Sequence, residues 1–166
     1  MENTIYKQSI PKVEYAGFWW RFLAYIIDDL IIGAVSWIFA LPILAIFGIS
    51  MYSLSEAGMN PDDAEVLILP IIMAASSIGF LALILQWLYF SLMESSKHQG
   101  TLGKIVLKIK VTDMDGNRIS FARATGRYFG KIISGMILSI GYIMAGFTEK
   151  KQALHDILAS CLVTKE

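Results

Sequence analysis

The stretch FLAYIIDDLIIGAVSWIFALPILAIF, residues 22–47, is apolar apart from Asp28, Asp29 and one serine. Its 26 residues exceed the roughly 20 that an α-helix needs to cross a bilayer. Residues 66–93 form a second apolar stretch that contains no charged residue. The sequence therefore predicts two transmembrane helices, span 1 over 22–47 and span 2 over 66–93.

The composition of the whole chain agrees with a membrane protein. Of its 166 residues, 55% are hydrophobic and 17% are charged, and the mean hydropathy is +0.57, whereas a soluble domain carries about 25% charged residues. High hydrophobicity excludes disorder, and a single cysteine excludes a disulfide scaffold. Because 14 basic residues balance 14 acidic ones, the net charge gives no case for a nucleic-acid partner.

The charges are distributed unevenly along the chain. The 75 residues between Arg21 and Lys97 contain no Lys or Arg, whereas the segment 94–128 contains seven basic residues. All charged residues of the loop 48–65 are acidic. Short loops rich in Lys and Arg stay in the cytoplasm. We therefore expect a multi-pass protein of the cell inner (cytoplasmic) membrane, with the N-terminal segment 1–18 and the basic segment cytoplasmic and the acidic loop outside.

The basic segment shows strand periodicity. Apolar and polar residues alternate over 107–112, Asp115-Gly116 is a favoured hairpin turn, and residues 118–121 can return as a second strand. The alternative is a basic amphipathic loop that lies on lipid headgroups. Residues 161–164 can form a further strand, which could meet the hairpin on the same side of the membrane.

A third apolar stretch, residues 129–147, is about one span long. A full crossing would place the lysines of the tail 148–166 outside, against the charge rule. A bend at Ser139-Ile140-Gly141 would keep the tail inside, and we favour this re-entrant form. The predicted fold is an all-α membrane protein in one domain, 1–166, with two transmembrane helices, a third re-entrant helical stretch and a small cytoplasmic β-hairpin.

Asp28 and Asp29 are the most unusual residues of span 1. Carboxylates inside a membrane cost a few kcal/mol each if they face lipid, so they normally face protein or water. Helical spacing puts Tyr25 within reach of either, and Gln86 of span 2 should lie at a similar depth. The pair can be a cation or proton site, or it can be structural and paired with basic residues; Arg21 taken alone is best interpreted as an interfacial anchor.

The pair His155-Asp156 lies in the tail. The histidine could act as a pH sensor or proton relay, or the pair could simply be the polar end of a helix. Because His98 and Cys161 are too distant in sequence to complete a metal-binding spacing, we expect no metal. No cofactor motif and no Ser/His/Asp or Cys/His arrangement is visible, so we expect a protein that is not an enzyme.

Small residues recur every four positions at the start of the third stretch and just before it. Such a stripe lets helices approach closely. Packing within one chain is the favoured interpretation, and dimerisation is the alternative. The stripe consists of Ala122, Gly126, Gly130 and Ser134.

Three motifs resemble the RDD family of integral membrane proteins, which is named for an arginine and two aspartates. They are the stretch 16–28 (AGFWWRFLAYIID), the stretch 99–116 with QGTLGK and VTDMDG, and the stretch 152–160 (QALHDILAS). The resemblance places the family arginine on Arg21 and the first aspartate on Asp28. The second falls on Asp156, with Asp29 as the alternative.

The resemblance implies a membrane protein, and some family members are proposed to exchange sodium or other monovalent cations for protons. Our leading hypothesis is Na⁺/H⁺ exchange in the lipid bilayer with Asp28 and Asp29 as the site. Because two or three spans are too few for the usual transport pathway, exchange requires a homo-oligomer. The alternative is a non-transporting scaffold or regulatory protein that binds anionic lipid or a partner protein. The residues expected to order or gate the site are Arg21, Tyr25, Gln86, His155 and Asp156.

Overall fold

Two long helices dominate the computed structural model, which describes residues 13–56, 58, 61–137 and 139–166. Helix α1 (Phe18–Glu56) has 39 residues and α2 (Pro61–Ser95) has 35. At 1.5 Å per residue α1 is about 58 Å long, well beyond a hydrocarbon core of about 30 Å. Both helices are long and apolar enough to cross a membrane, which confirms the two predicted spans.

The predicted outer loop 48–65 is wrong in its bounds. Helix α1 continues to Glu56 and α2 begins at Pro61. Serine is accommodated inside α1, where the Ser53 hydroxyl donates a 2.9 Å hydrogen bond to the Ile49 carbonyl of its own helix. Proline suits the first position of α2, where no intrahelical N–H is needed.

The third apolar stretch is bent, as predicted. Helix α4 (Phe121–Met136) starts eight residues earlier than the apolar pattern indicated, because Ser120 caps it by accepting a hydrogen bond from the Arg123 N–H. The segment Ile140–Gly146, made of α5 (Ile140–Ile143) and a 3₁₀ turn (Met144–Gly146), leaves α4 at 117°. Gly141 permits this return, since a Cβ there would lie 2.7 Å from the Cβ of Ser134.

The predicted β-hairpin is wrong in its pairing. Strand β1 (Ile109–Asp113) pairs antiparallel with β2 (Cys161–Lys165), with Val111 opposite Val163. The turn at Asp115-Gly116 does form, but the returning segment keeps only one bridge, from Thr112 to Arg118, and residues 120–121 cap and start α4 instead. The terminal strand meets the basic segment, as expected.

A small core under the sheet holds the polar part of the chain against α1. It comprises Ala16, Ala24, Ile109, Val111, Ile119, Ala124, Cys161 and Val163. Helix α3 (Leu102–Val106) docks directly on α1 at Gly103, where a Cβ would lie 2.1 Å from the Ala24 carbonyl oxygen. Helix α4 packs against α2 and against the short helix α6 (Leu154–Leu158). These contacts bring α1, α2, α3, α4 and α6 together at one end of the long helices.

Candidate ligand-binding cavity

Asp28 connects three helices. Its side chain is only 2% exposed, and its carboxylate accepts hydrogen bonds from the Thr101 hydroxyl at 2.5 Å, the Gly103 N–H at 2.7 Å and the Tyr89 hydroxyl at 3.2 Å. Asp29, one residue further along α1, is exposed. The structure therefore does not join the two aspartates in one site, because neighbouring helical residues point about 100° apart.

Asp156 lies between two arginines. It accepts a hydrogen bond from Arg21 and another from Arg127 Nε at 2.7 Å, and its own helix start adds the Ala153 N–H at 3.0 Å. Burial alone would raise the pKa of Asp156, but the guanidinium groups of Arg127 and Arg21 hold that pKa well below its usual range. Asp156 is therefore a charged carboxylate at neutral pH.

Arg21 is a structural connector. Besides Asp156, its guanidinium donates to the Ala16 carbonyl at 2.8 Å and the Lys151 carbonyl at 2.6 Å. The structure adds to the interpretation of Arg21 as an interfacial anchor a set of hydrogen bonds within the protein. Arg21 joins the start of α1 to the tail.

Glu94, at the end of α2, collects three cations. Its carboxylate lies 2.5 Å from Lys104 Nζ, 2.7 Å from Arg127 Nη1 and 3.2 Å from Lys131 Nζ. Glu94 and its three cationic partners are not among the predicted site residues. Two signals were present: Glu94 is the first charged residue after span 2, and Lys131 interrupts the third apolar stretch.

Burial changes the protonation of two further groups. It lowers the pKa of Lys104 to about 7; the attraction of Glu94 opposes this shift, and the repulsion of Arg127 and Lys131 adds to it. It also lowers the pKa of His155 to about 3, so this imidazole is neutral near pH 7. His155 instead packs against Gly130, where a Cβ would lie 3.1 Å from that of His155. This contact supports the structural interpretation of the His155-Asp156 pair over a sensor.

The small-residue stripe is used over only half its length. Gly130 and Ser134 are buried within the chain, against His155 and Gly141, whereas Ala122 and Gly126 are exposed. The part that packs does so inside one protomer, which is the arrangement we favoured.

A cavity of about 640 Å³ opens beside these charges, between α1, α2, α4 and α5. Tyr25 and Gln86, both predicted to lie near Asp28, line it together with Asp28. Its lining is largely apolar and aromatic and includes Arg21, Asp28, Lys104, Arg127 and Lys131. We call these charged lining residues the floor of the cavity and the apolar and aromatic ones its walls. The apolar and aromatic walls include Phe18, Phe22, Phe90, Tyr128, Ile132 and Ile143.

The floor, together with Glu94 and Asp156, which form ion pairs with its cations, is called the charged cluster. Four cations face three carboxylates, which leaves one positive charge when Lys104 is protonated and His155 is neutral. The charged cluster consists of Arg21, Lys104, Arg127, Lys131, Asp28, Glu94 and Asp156.

The charged cluster lies at one end of the apolar parts of both long helices. After Asp29 the next charged residue of α1 is Glu56, and between Glu65 and Glu94 α2 has none. The 26 uncharged residues of α1 extend over about 39 Å. Both helices can therefore cross a hydrocarbon core of about 30 Å with Asp28 and Glu94 at its edge.

The fold and the cavity define a helical membrane protein with a buried charged cluster at one end of its spans. The chain belongs to the RDD family, whose profile matches residues 15–160. Two similar proteins come from Bacillus subtilis (strain 168). The chain is 41% identical over 150 residues to the uncharacterized protein YxaI, covering 89% of this chain and 95% of YxaI. It is 30% identical over 158 residues to the uncharacterized membrane protein YteJ, covering 92% and 82%. No solved structure matches the chain.

The contacts distinguish between Asp156 and Asp29, the two candidates for the second aspartate of the family motif. Asp156 is fully buried and paired with Arg21, and Asp28 lines the same cavity as Arg21. Asp29 is exposed on α1. This geometry favours Asp156 over Asp29 as the second aspartate, because Asp156 contacts Arg21 directly.

Proposed function

We propose that this chain is a non-transporting membrane protein that binds an anionic amphiphile, a lipid with a negatively charged headgroup, in the cavity beside the charged cluster. The observation that carries the proposal is a cationic floor beneath apolar walls. An anion seated on the floor would compensate the one excess positive charge, which is costly to keep buried without a partner. Apolar walls suit the chains of the same molecule.

The depth of the cavity supports a ligand that enters from the membrane. With Asp28 and Glu94 at the edge of the hydrocarbon core, the floor lies level with lipid headgroups. We further propose that this end of the molecule faces the cytoplasm of the cell inner membrane, with the N-terminus on the same side, because the basic segment 94–128 belongs there by charge. The cytoplasmic leaflet is also where anionic lipids give the membrane surface its negative potential.

Thermal unfolding in nonionic detergent tests this proposal. Added phosphatidylglycerol should stabilise the purified protein, by about 2.7 kcal/mol at a hundred times its Kd, and phosphatidylcholine should not. Lys131→Gln should remove about half of this stabilisation, because it neutralises a cation of the floor. Lys150→Gln, at an exposed lysine of the tail, is the matched control. Equal stabilisation by both lipids would overturn the proposal.

Exchange of a monovalent cation such as Na⁺ for H⁺ is the second candidate, because Asp28 lines a cavity between the two long helices. Arg21 and Asp156 would then order the site, and a homo-oligomer would supply the missing spans. A cation would have to displace three donors from Asp28, and the described residues hold no cluster of three or more His, Cys, Asp or Glu suited to a metal ion. These two observations place exchange second.

Proteoliposomes distinguish the two candidates. Exchange predicts sodium-dependent proton movement that Asp28→Asn abolishes while the protein stays folded. Lipid binding without transport predicts no flux from a verified, folded oligomer. Flux that survives in Asp29→Asn but not in Asp28→Asn would favour exchange and exclude a two-aspartate site.

A further inference from the structure

We infer that the cavity is built for a single phosphodiester monoanion at the headgroup of a lipid, held between the ammonium groups of Lys104 and Lys131 and the guanidinium of Arg127. This inference rests on the proposed function and narrows it to one class of headgroup. Phosphomonoester dianions and zwitterionic headgroups are the excluded classes.

The positions of the ammonium groups are the first reason. Lys104 Nζ and Lys131 Nζ both contact the same oxygen, Oε1 of Glu94, at 2.5 Å and 3.2 Å. Two ammonium groups that share one carboxylate oxygen lie close together and repel each other. Each has three N–H donors, and among the described residues the only hydrogen bond of either ammonium is to Glu94. An anion on the cavity side would accept the remaining donors and reduce the repulsion.

An arginine nitrogen adds a donor. Arg127 Nη1 is buried and lies 2.7 Å from a Glu94 oxygen, yet it has no hydrogen-bond partner of suitable geometry within the described part of the chain. Arg127 also lines the cavity. Buried donors normally find a partner, and a phosphate oxygen on the floor would be one. Arginine and lysine together are the usual phosphate donors.

The charge of the cluster sets the charge of the headgroup. One net positive charge is neutralised by one negative charge, and a phosphodiester carries one. A phosphomonoester, with a second pKa near 6, brings a further negative charge that would stay uncompensated in a site of low polarity. A zwitterionic headgroup would add a positive charge beside those of Lys104, Lys131 and Arg127. The site should therefore prefer the phosphodiester monoanion.

The walls indicate that the phosphodiester belongs to a lipid. Lys131 Nζ lies 4.6 Å from the centre of the Phe90 ring, so this ammonium sits where the floor meets the apolar wall. Ile132, one residue further along α4, lines the cavity and is 51% exposed. A volume of about 640 Å³ is too small for a whole two-chain lipid, so its chains would run along this wall into the bilayer.

Direct binding measurements at pH 6.5 in nonionic detergent test the inference. The probes are phosphatidylglycerol, phosphatidic acid, phosphatidylcholine and the soluble diester glycerophosphoglycerol, followed by native mass spectrometry or titration calorimetry. We expect phosphatidylglycerol to bind at least about tenfold more tightly than each other probe. Lys131→Gln should weaken that binding about tenfold, the value of one charge-assisted hydrogen bond, and Lys150→Gln should leave it unchanged.

A second variant avoids the charged cluster. Gly135 lines the cavity, and a Cβ there has only a distant neighbour, Tyr142 at 4.0 Å. Gly135→Leu should therefore fill the cavity without disturbing an ion pair and should abolish phosphatidylglycerol binding. Gly126→Leu, on the same helix with open space around it, is the matched control and should bind normally.

Each outcome has one meaning. If phosphatidic acid binds as tightly as phosphatidylglycerol and Gly135→Leu abolishes the binding of both, the preference for a phosphodiester is overturned. The proposed function, which requires only an anionic lipid in the cavity, then still holds. Equal binding of phosphatidylcholine overturns both. Equal binding of glycerophosphoglycerol shows that the floor takes a free phosphodiester and overturns the lipid source. Phosphatidylglycerol binding that survives in Gly135→Leu places the lipid outside the cavity and overturns both the inference and the proposed function.

Discussion

Replacing Asp156 by asparagine should destabilise the protein strongly. The carboxylate is fully buried and pairs with Arg21 and Arg127. Asparagine keeps the shape and can still accept the Ala153 N–H, so the change removes chiefly the charge. Breaking a buried ion pair by removing one partner costs about 3–5 kcal/mol. Because Glu94 still faces Arg127, the loss should fall near the lower limit, about 3 kcal/mol.

The assay is thermal unfolding of the purified protein in detergent. A loss of about 3 kcal/mol corresponds to a fall in Tm of about 10 °C for a chain of this length. Asp29→Asn is the matched control, because Asp29 is an exposed carboxylate of the same type. It should change stability by less than about 0.5 kcal/mol.

The pH dependence provides an independent check. The pKa of Asp156 is lowered in the folded state by Arg127 and Arg21. Its contribution to stability is therefore complete above the ordinary aspartate pKa of about 4 and is lost as the pH falls further, towards the folded pKa. The Tm of the wild type should fall in acid more steeply than that of Asp156→Asn. A Tm of Asp156→Asn within about 2 °C of the wild type, or an equal loss in Asp29→Asn, would refute the assignment.

Three further outcomes follow from the same contacts. Lipid binding should weaken as the pH rises through about 7, because the ammonium of Lys104 loses its proton there and the charged cluster loses its excess positive charge. Binding that does not change between pH 6 and 8 would contradict this. Gly103→Ala should lower the free energy of unfolding by more than about 2 kcal/mol, since its Cβ would lie 2.1 Å from a carbonyl oxygen of α1. Gly126→Ala, where a Cβ has nothing within 4 Å, is the control and should be neutral or mildly stabilising in the same melting assay. Cys161 is buried, and burial raises the pKa of its thiol to about 11, so an impermeant maleimide should not label it in the folded protein. An added cysteine in Lys150→Cys tests the topology. It should be labelled only in broken cells if the tail is cytoplasmic.

The local sequence pattern was enough to predict the spans, the bend and one strand of this protein. The two spans follow from the number of consecutive apolar residues. The bend at Ser139-Ile140-Gly141 was predicted because a full crossing would place the lysines of the tail outside. The strand over 109–113 follows from its alternation. The RDD resemblance likewise rests on short motifs that can be read directly.

Pairing between distant segments could not be read in the same way. Strand β1 pairs with β2, and Val111 and Val163, which lie opposite each other, are 52 residues apart in the chain. The nearer alternative is lost because Ser120 caps α4 instead. The bounds of span 1 also moved: α1 continues to Glu56, and the Ser53 hydroxyl bonds within its own helix.

The cavity is the clearest case of tertiary control. The sequence by itself supplied two neighbouring aspartates and a basic segment, and these suggested a cation site in the membrane. Only the docking of α3 on α1 and the return of the tail beneath α4 gave Asp28 three donors and placed Glu94 and Asp156 among four cations. Charges interact through space, so the sign of this site depends on distances that the order of residues along the chain does not contain.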